Sequence, residues 1–254
     1  VIAQYVSGVG IAVYALARCP QLRAIHKGCR IRWACVREIA GFSILTCVQQ
    51  SVMNLGILTV QGLVNSFGST VMAAFAAAVK IDAFAYMPVQ DFGNAFSTFI
   101  AQNYGAQKEA RIRAGLKGAV GVSMLFCVVV SALVWAFARP LMALFVEAGE
   151  TEIILEGVRY LRIEGVFYCG IGCLFLLYGL YRALGKPGMS VVLTVISLGT
   201  RVVLAYALAA VPSIGVTGIW WSVPIGWLLA DTVGILYYIF RKKKLFSWEK
   251  QAQI

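Results

Sequence analysis

Long apolar runs alternate with short segments of Lys, Arg, Gly and Pro along this 254-residue chain. A membrane-spanning helix needs about 20 apolar residues. Seven runs meet or approach that length, at residues 1–17, 39–63, 70–104, 118–137, within 153–184, 189–211 and 218–240. The first is short, and the fifth has its apolar centre near residues 166–181. Turns are marked by Asn65-Ser66-Phe67-Gly68-Ser69, Gly185-Lys186-Pro187-Gly188 and Pro212-Ser213-Ile214-Gly215. Arg139-Pro140 is expected to begin a linker with a short amphipathic piece and an acidic turn over residues 147–152. Alternating strand patterns are absent, so the predicted class is all-α, a polytopic membrane helix bundle.

The third run departs most from a plain apolar helix. Wound at about 100° per residue, Tyr86, Gln90, Asn94, Ser97, Lys80, Thr98, Asp91 and Gln102 fall within an arc of roughly 160°. Ile81, Ala85, Pro88, Val89, Phe92, Ala95, Phe96 and Phe99 take the other side, and Asp82 lies just beyond the polar arc. An ionised side chain at the bilayer centre costs about 2.5–3.5 kcal/mol on an insertion scale, so this helix is expected to face protein or water. With the span starting near Thr70, Lys80 lies about 15 Å in and Asp82 about 18 Å, close to the midplane of a core about 30 Å thick. Asp91, about 31 Å in, falls at the far mouth. Asp82 is a candidate proton carrier; the alternative is a charge that only fixes helix packing.

The second run carries its own stripe, with Ser43, Thr46, Cys47, Gln50, Asn54, Gln61 and Asn65 within about 100° on the wheel. It serves either hydrogen bonding between helices or a wet cavity shared with the third run. The candidate substrate and ion pathway is therefore Gln50, Asn54, Lys80, Asp82, Tyr86, Gln90, Asp91 and Asn94. Glu164, Arg201 and Asp231 are isolated charges in later runs, read as structural pairs or interfacial positions. Pro88 and Pro224 lie inside predicted helices, where proline frees a carbonyl and permits a bend.

Composition agrees: 60% of residues are hydrophobic and 13% charged, against about 25% charged in a soluble domain. The formal charge of +11 does not point to nucleic acid, because the basic residues sit between apolar runs. The segments after the first, third, fifth and seventh runs hold 17 of the 22 Lys and Arg, which places that side and the tail in the cytoplasm. Seven cysteines without a CxxC spacing and a single histidine, His26, suggest neither a disulfide framework nor a zinc site. No cofactor and no metal are expected beyond a coupling ion, and no constellation of catalytic side chains is visible, so an enzyme is not expected. The sequence opens inside an apolar run without a signal-peptide pattern, and is expected to belong to something longer.

Several stretches resemble the multidrug and toxic compound extrusion (MATE) family. The run AAFAAAVKIDAFAYMP, followed by AFSTFIAQNYGAQKEARIRAG, is similar to the family's eighth helix. Within it, Gln102-Asn103-Tyr104-Gly105-Ala106 resembles the QNxGA ending before a basic loop. Leu184-Gly185-Lys186-Pro187 is similar to the link between helices ten and eleven, and the stretch from Gly215 to Gly226 to the opening of helix twelve. The resemblance implies twelve helices in two six-helix lobes. This chain would then hold the last helix of the first lobe (1–17), a cytoplasmic basic connector (18–38), the six-helix second lobe (39–240) and a cytoplasmic tail (241–254).

It also implies an antiporter in a prokaryotic plasma membrane, exporting cationic or amphiphilic compounds in exchange for protons or sodium. Its partners would be the lipid bilayer, those substrates and a missing amino-terminal lobe, with no nucleic acid. The family's best-attested protonation carboxylate lies on a first helix this chain does not contain, so no residue here inherits it. One branch binds a cation through a glutamate on helix seven; that neighbourhood reads Cys47-Val48-Gln49-Gln50-Ser51, without a carboxylate. Two rivals stay open. A lipid-linked oligosaccharide flippase of the same superfamily would want several basic groups in its cavity, and a membrane scaffold would leave the aligned polar faces unexplained.

Overall fold

The computed structural model of the chain describes residues 2–18, 32–147 and 149–245. Among them it has α1 (Ile2–Arg18), α2 (Trp33–Asn65), α3 (Ser69–Gly105), α4 (Glu109–Ala143), α5 (Thr151–Val166), α6 (Tyr168–Ala183), α7 (Pro187–Ala209) and α8 (Val216–Leu245). By length and composition, α2, α3, α4, α7 and α8 can each cross a membrane, and α5 with α6 forms a sixth span bent by 53°. The apolar α1, at 17 residues, is shorter than these spans. His26, Cys19, Cys29, Arg23, Lys27 and Arg30 of the expected connector lie outside the described residues, as does the tail beyond Leu245.

The chain divides into two units, Val1–Ser43 and Ile44–Ile254. The first contains α1 and the opening turns of α2. The second contains the rest of α2 and the bundle of α3 to α8. Within it α3 packs against α4, α5 and α6, and α8 packs against α5, α6 and α7.

Two helix boundaries differ from the expected ones. The fourth span does not give way to a linker at Arg139-Pro140: α4 runs on to Ala143 across a kink at Phe137 (φ −103°, ψ 15°). A proline lacks an N–H and crowds the carbonyl four residues back, which bends a helix without ending it. The fifth span is two helices, broken at Phe167 (φ −105°, ψ 13°) and rejoined by short 3₁₀-like bonds, Phe167 N to Glu164 O at 2.9 Å and Gly170 N to Phe167 O at 2.8 Å.

The α6–α7 turn shows why its sequence is so definite. Gly185 has φ 69°, the left-handed region that costs glycine least. Lys186 N donates to Tyr181 O at 2.8 Å and Gly185 N to Arg182 O at 3.2 Å, a Schellman closure of α6. Pro187 then opens α7 at a position that needs no N–H.

At one end of the bundle, three buried rings tie α3, α5 and α8 together. Phe75 stacks on Trp220 (centroids 5.5 Å apart, planes 11° apart), and Tyr160 meets both edge-on, at 5.6 Å and 4.9 Å. Such pairs add about 0.5–1.5 kcal/mol beyond the area they bury. They also fix where Tyr160 points.

Candidate functional site

The apolar arc of α3 becomes its core face: Ile81, Ala85, Val89 and Phe96 are buried. Asp82 goes with them. It is 4% exposed, and three side chains from α5 and α6 close round it. Tyr168, the first residue of α6, donates its hydroxyl to Asp82 Oδ1. Tyr160 and Glu164, both of α5, bring their side chains within hydrogen-bonding reach of the Asp82 carboxyl group. Arg201 of α7 supplies the positive charge that acts on Asp82, Tyr160 and Glu164 alike.

The break at Phe167 makes this convergence possible. Glu164 ends α5 and Tyr168 begins α6. On a straight helix four residues lie about one turn apart and both would stack along one axis. The 53° bend instead lets the two segments approach Asp82 from different directions. Broken helices at mid-membrane depth are a recurrent way of bringing polar groups to one place in transporters.

Glu164 is 3% exposed, and its Oε1 has no hydrogen-bond partner. Arg201 Nε is likewise buried and unpartnered. A buried charge is tolerated only when paired and hydrogen-bonded. With both carboxylates ionised, one guanidinium leaves the cluster one negative charge in excess.

The remaining sequence candidates are placed differently. Lys80, Asp91 and Asn94 are on the exposed face of α3, with Tyr86 and Gln90 half-buried at its edge. Gln50 and Asn54 are exposed on α2, whose buried amide is instead Gln49. Asn94 Oδ1 accepts a hydrogen bond from Arg182 Nη2 at 3.0 Å, linking α3 to the end of α6. None of these joins Asp82 in the cluster. Lys80 does not share its surroundings, as the opposed directions of residues two apart on a helix require. Asp231 of α8, 7% exposed, is a separate buried carboxylate beside Cys173, with Oδ1 unpartnered.

In the sequence alone, Glu164 and Arg201 are isolated charges that read as structural pairs or interfacial positions. The signal for Glu164 was present in the spacing: Glu156, Tyr160 and Glu164 recur every fourth residue of α5 and so lie as neighbours along one helix surface. Nothing comparable marks Arg201, which reaches the cluster from a helix more than thirty residues further on.

A family model described as MatE matches residues 46–207, which takes in α2 from Thr46, the whole of α3 to α6 and most of α7. The chain belongs to the MatE family. It is similar to "Probable multidrug resistance protein YpnP" of Bacillus subtilis, 29% identical over 221 residues, 85% of this chain and 48% of the relative. It is also similar to "Probable multidrug resistance protein NorM" of Thermotoga maritima, 22% identical over 247 residues, 96% of this chain and 52% of the relative. Among solved structures, a mutant of the Vibrio cholerae MATE transporter VcmN superposes with a TM-score of 0.83 at 21% identity, covering 94% of this chain and 55% of that one. At that identity the likeness concerns the MATE fold alone. The chain spans about half the length of the curated relatives it matches.

Proposed function

We propose that this chain forms one lobe, the second, of a secondary active antiporter that exports cationic or amphiphilic compounds in exchange for protons or sodium. The membrane is the plasma membrane of a prokaryote, and the tail is cytoplasmic. The observation that carries the reading is a family match laid over a membrane-length bundle whose buried face holds an acidic cluster. Helix glue needs amides and hydroxyls. Two carboxylates at such depth are expensive, and they are kept where charge moves. The relatives named for multidrug resistance support the reading of drug export. Rocking of one lobe against another about a central cavity supplies the cycle.

The flippase alternative is weakened by the placement of the basic groups. Arg201 acts as a nearby positive charge on the Asp82 and Glu164 carboxyl groups, which leaves Lys80 to hold a diphosphate. A catalytic step has no support from the family, whose members compared above are transporters.

The test is export in reconstituted vesicles by the intact transporter that contains this chain. An imposed pH or sodium gradient should drive a cationic dye out, and collapsing that gradient should stop it. Accumulation that ignores both gradients, or a requirement for lipid-linked sugar, would overturn the reading.

A further inference from the structure

The acidic cluster has an approach. Glu152, Glu156, Tyr160, Glu164 and Tyr168 recur at every fourth residue from the first turn of α5 to the first residue of α6. Residues four apart are neighbours on a helix surface, so the four side chains of α5 make one row, and Tyr168 meets its inner end from across the break. Burial deepens along it. Glu152 is exposed, Glu156 is half-buried, and Tyr160, Glu164 and Tyr168 are fully buried. The row is held in place: Trp220 Nε1 donates to Glu156 Oε1 at 2.8 Å, and Arg159 Nη1 to Glu156 Oε2 at 3.0 Å. Its inner end is Asp82.

The charges there can be counted from every element that faces Asp82. α5 brings Glu164 and the Tyr160 hydroxyl, α6 the Tyr168 hydroxyl and α7 Arg201. α4, the other helix packed on α3, turns Cys127 and Ser123 toward Gly172 of α6 and adds no charged group to the cluster among the described residues. Two carboxylates and one guanidinium leave one negative charge without a partner. Carboxyl groups in hydrogen-bonding reach of each other cannot both stay ionised unless a positive charge joins them. Glu164 Oε1, buried and unpartnered, has the capacity to receive one. A metal cation is the poorer fit, because the Tyr168 hydroxyl already donates to Asp82 and the Arg201 guanidinium repels a second cation.

We propose that Asp82 and Glu164 hold one exchangeable proton between them, and that the row from Glu152 through Glu156 and Tyr160 is its path to water. Loading takes one proton from the aqueous phase and forms one O–H bond on the pair. Unloading returns it, and Arg201 then balances one of the two carboxylates. The positive-inside bias of the sequence puts the Glu152 end outside. The site rests on geometry; its role as the coupling site rests on the antiport reading above.

The test is infrared spectroscopy of the intact protein in lipid nanodiscs, following the carbonyl stretch of a protonated carboxyl group against pH. An Asp231→Asn background removes the third buried carboxyl among the described residues. One titrating band is expected, insensitive to sodium and lost in both Asp82→Asn and Glu164→Gln, because either change leaves a single carboxylate balanced by Arg201. A band that survives both changes, is lost with only one, or is displaced by sodium overturns the site.

Should those variants not fold, Tyr168→Phe keeps both carboxyl groups and must still shift the titration midpoint; an unmoved midpoint counts against the site. Glu156→Gln is expected to slow the rise of the band after a pH jump several-fold at an unchanged midpoint, and an unchanged rate overturns the path. The band is read without gradient or substrate. Transport without the band therefore sinks this inference alone, and the band without transport sinks the antiport reading alone.

Discussion

Gly179 of α6 faces the backbone of Gly93 in α3 so closely that a Cβ there would come 2.6 Å from Gly93 O. The reciprocal Cβ on Gly93 would lie 3.0 Å from Phe175 O. Small residues that let backbones touch are how membrane helices pack tightly. Here the contact fixes α6 against α3 on the same pair of helices that brings Tyr168 to Asp82. Acidic chemistry and tight packing are thus parts of one arrangement.

Gly179→Ala is expected to force α3 and α6 apart and cost about 1–3 kcal/mol, the usual penalty for overpacking. Gly118→Ala is the control: no atom lies within 4 Å of the added methyl, and the position is helical. There the gain in helix propensity of up to about 1 kcal/mol should keep stability level or raise it. Thermal unfolding of both variants in nanodiscs checks the contrast. Equal behaviour would remove the contact from the account of the fold.

The membrane class was legible because long apolar runs and basic connectors each have a direct physical cause, the bilayer thickness and the orientation bias. The helical wheel also put Asp82 outside the polar arc of its own helix, and the structure turns it into the core. Its partners could not be read the same way. Periodicity reports which residues share a face, and says nothing of which faces meet. Tyr168 and Asp82 are 86 residues apart. The break at Phe167 had no proline to announce it, whereas Arg139-Pro140, read as the start of a linker, lies just past a kink at Phe137 in a helix that runs on to Ala143. Lys80, Asp91 and Asn94, prominent on the wheel, stay on the exposed face of α3.

Trp220 offers two separable contributions. Trp220→Phe keeps a ring between Phe75 and Tyr160 but loses the hydrogen bond to the Glu156 carboxylate at 2.8 Å. A bond to a charged group is worth about 1.5–3 kcal/mol, and that is the expected loss. Trp220→Ala removes the ring as well and is expected to cost about 3–5 kcal/mol. Thermal midpoints in one lipid composition measure both. Equal losses in the two variants would mean that the rings contribute nothing beyond the hydrogen bond.

Orientation is open to a direct chemical check. Cys35 lies in the opening turns of α2 with its side chain exposed, next to the most basic segment of the sequence. If that segment is cytoplasmic, a membrane-impermeant thiol reagent should leave Cys35 untouched in intact cells and label it in inverted vesicles. With the other cysteines replaced, labelling from outside would reverse the assigned orientation. It would then put the Glu152 end of the acidic row in the cytoplasm.

The sharpest functional expectation concerns Asp82→Asn. The amide oxygen can still accept the Tyr168 hydroxyl, and the side chain keeps its size, so packing at the cluster is preserved. What it loses is the capacity to ionise. Glu164 is then the one carboxyl group left under the positive charge of Arg201, with no second carboxylate to share a proton. In the intact transporter the variant is expected to reach the membrane and to bind substrate as before. It should let substrate run down its own concentration gradient and fail to be driven by a pH gradient in reconstituted vesicles. A mere packing role gives the opposite pattern: expression or thermal stability falls, and whatever protein survives stays coupled. Measuring substrate binding, passive exchange and gradient-driven export on one preparation separates the two. Undiminished pH-driven export by Asp82→Asn would rule out a proton carried at this carboxylate.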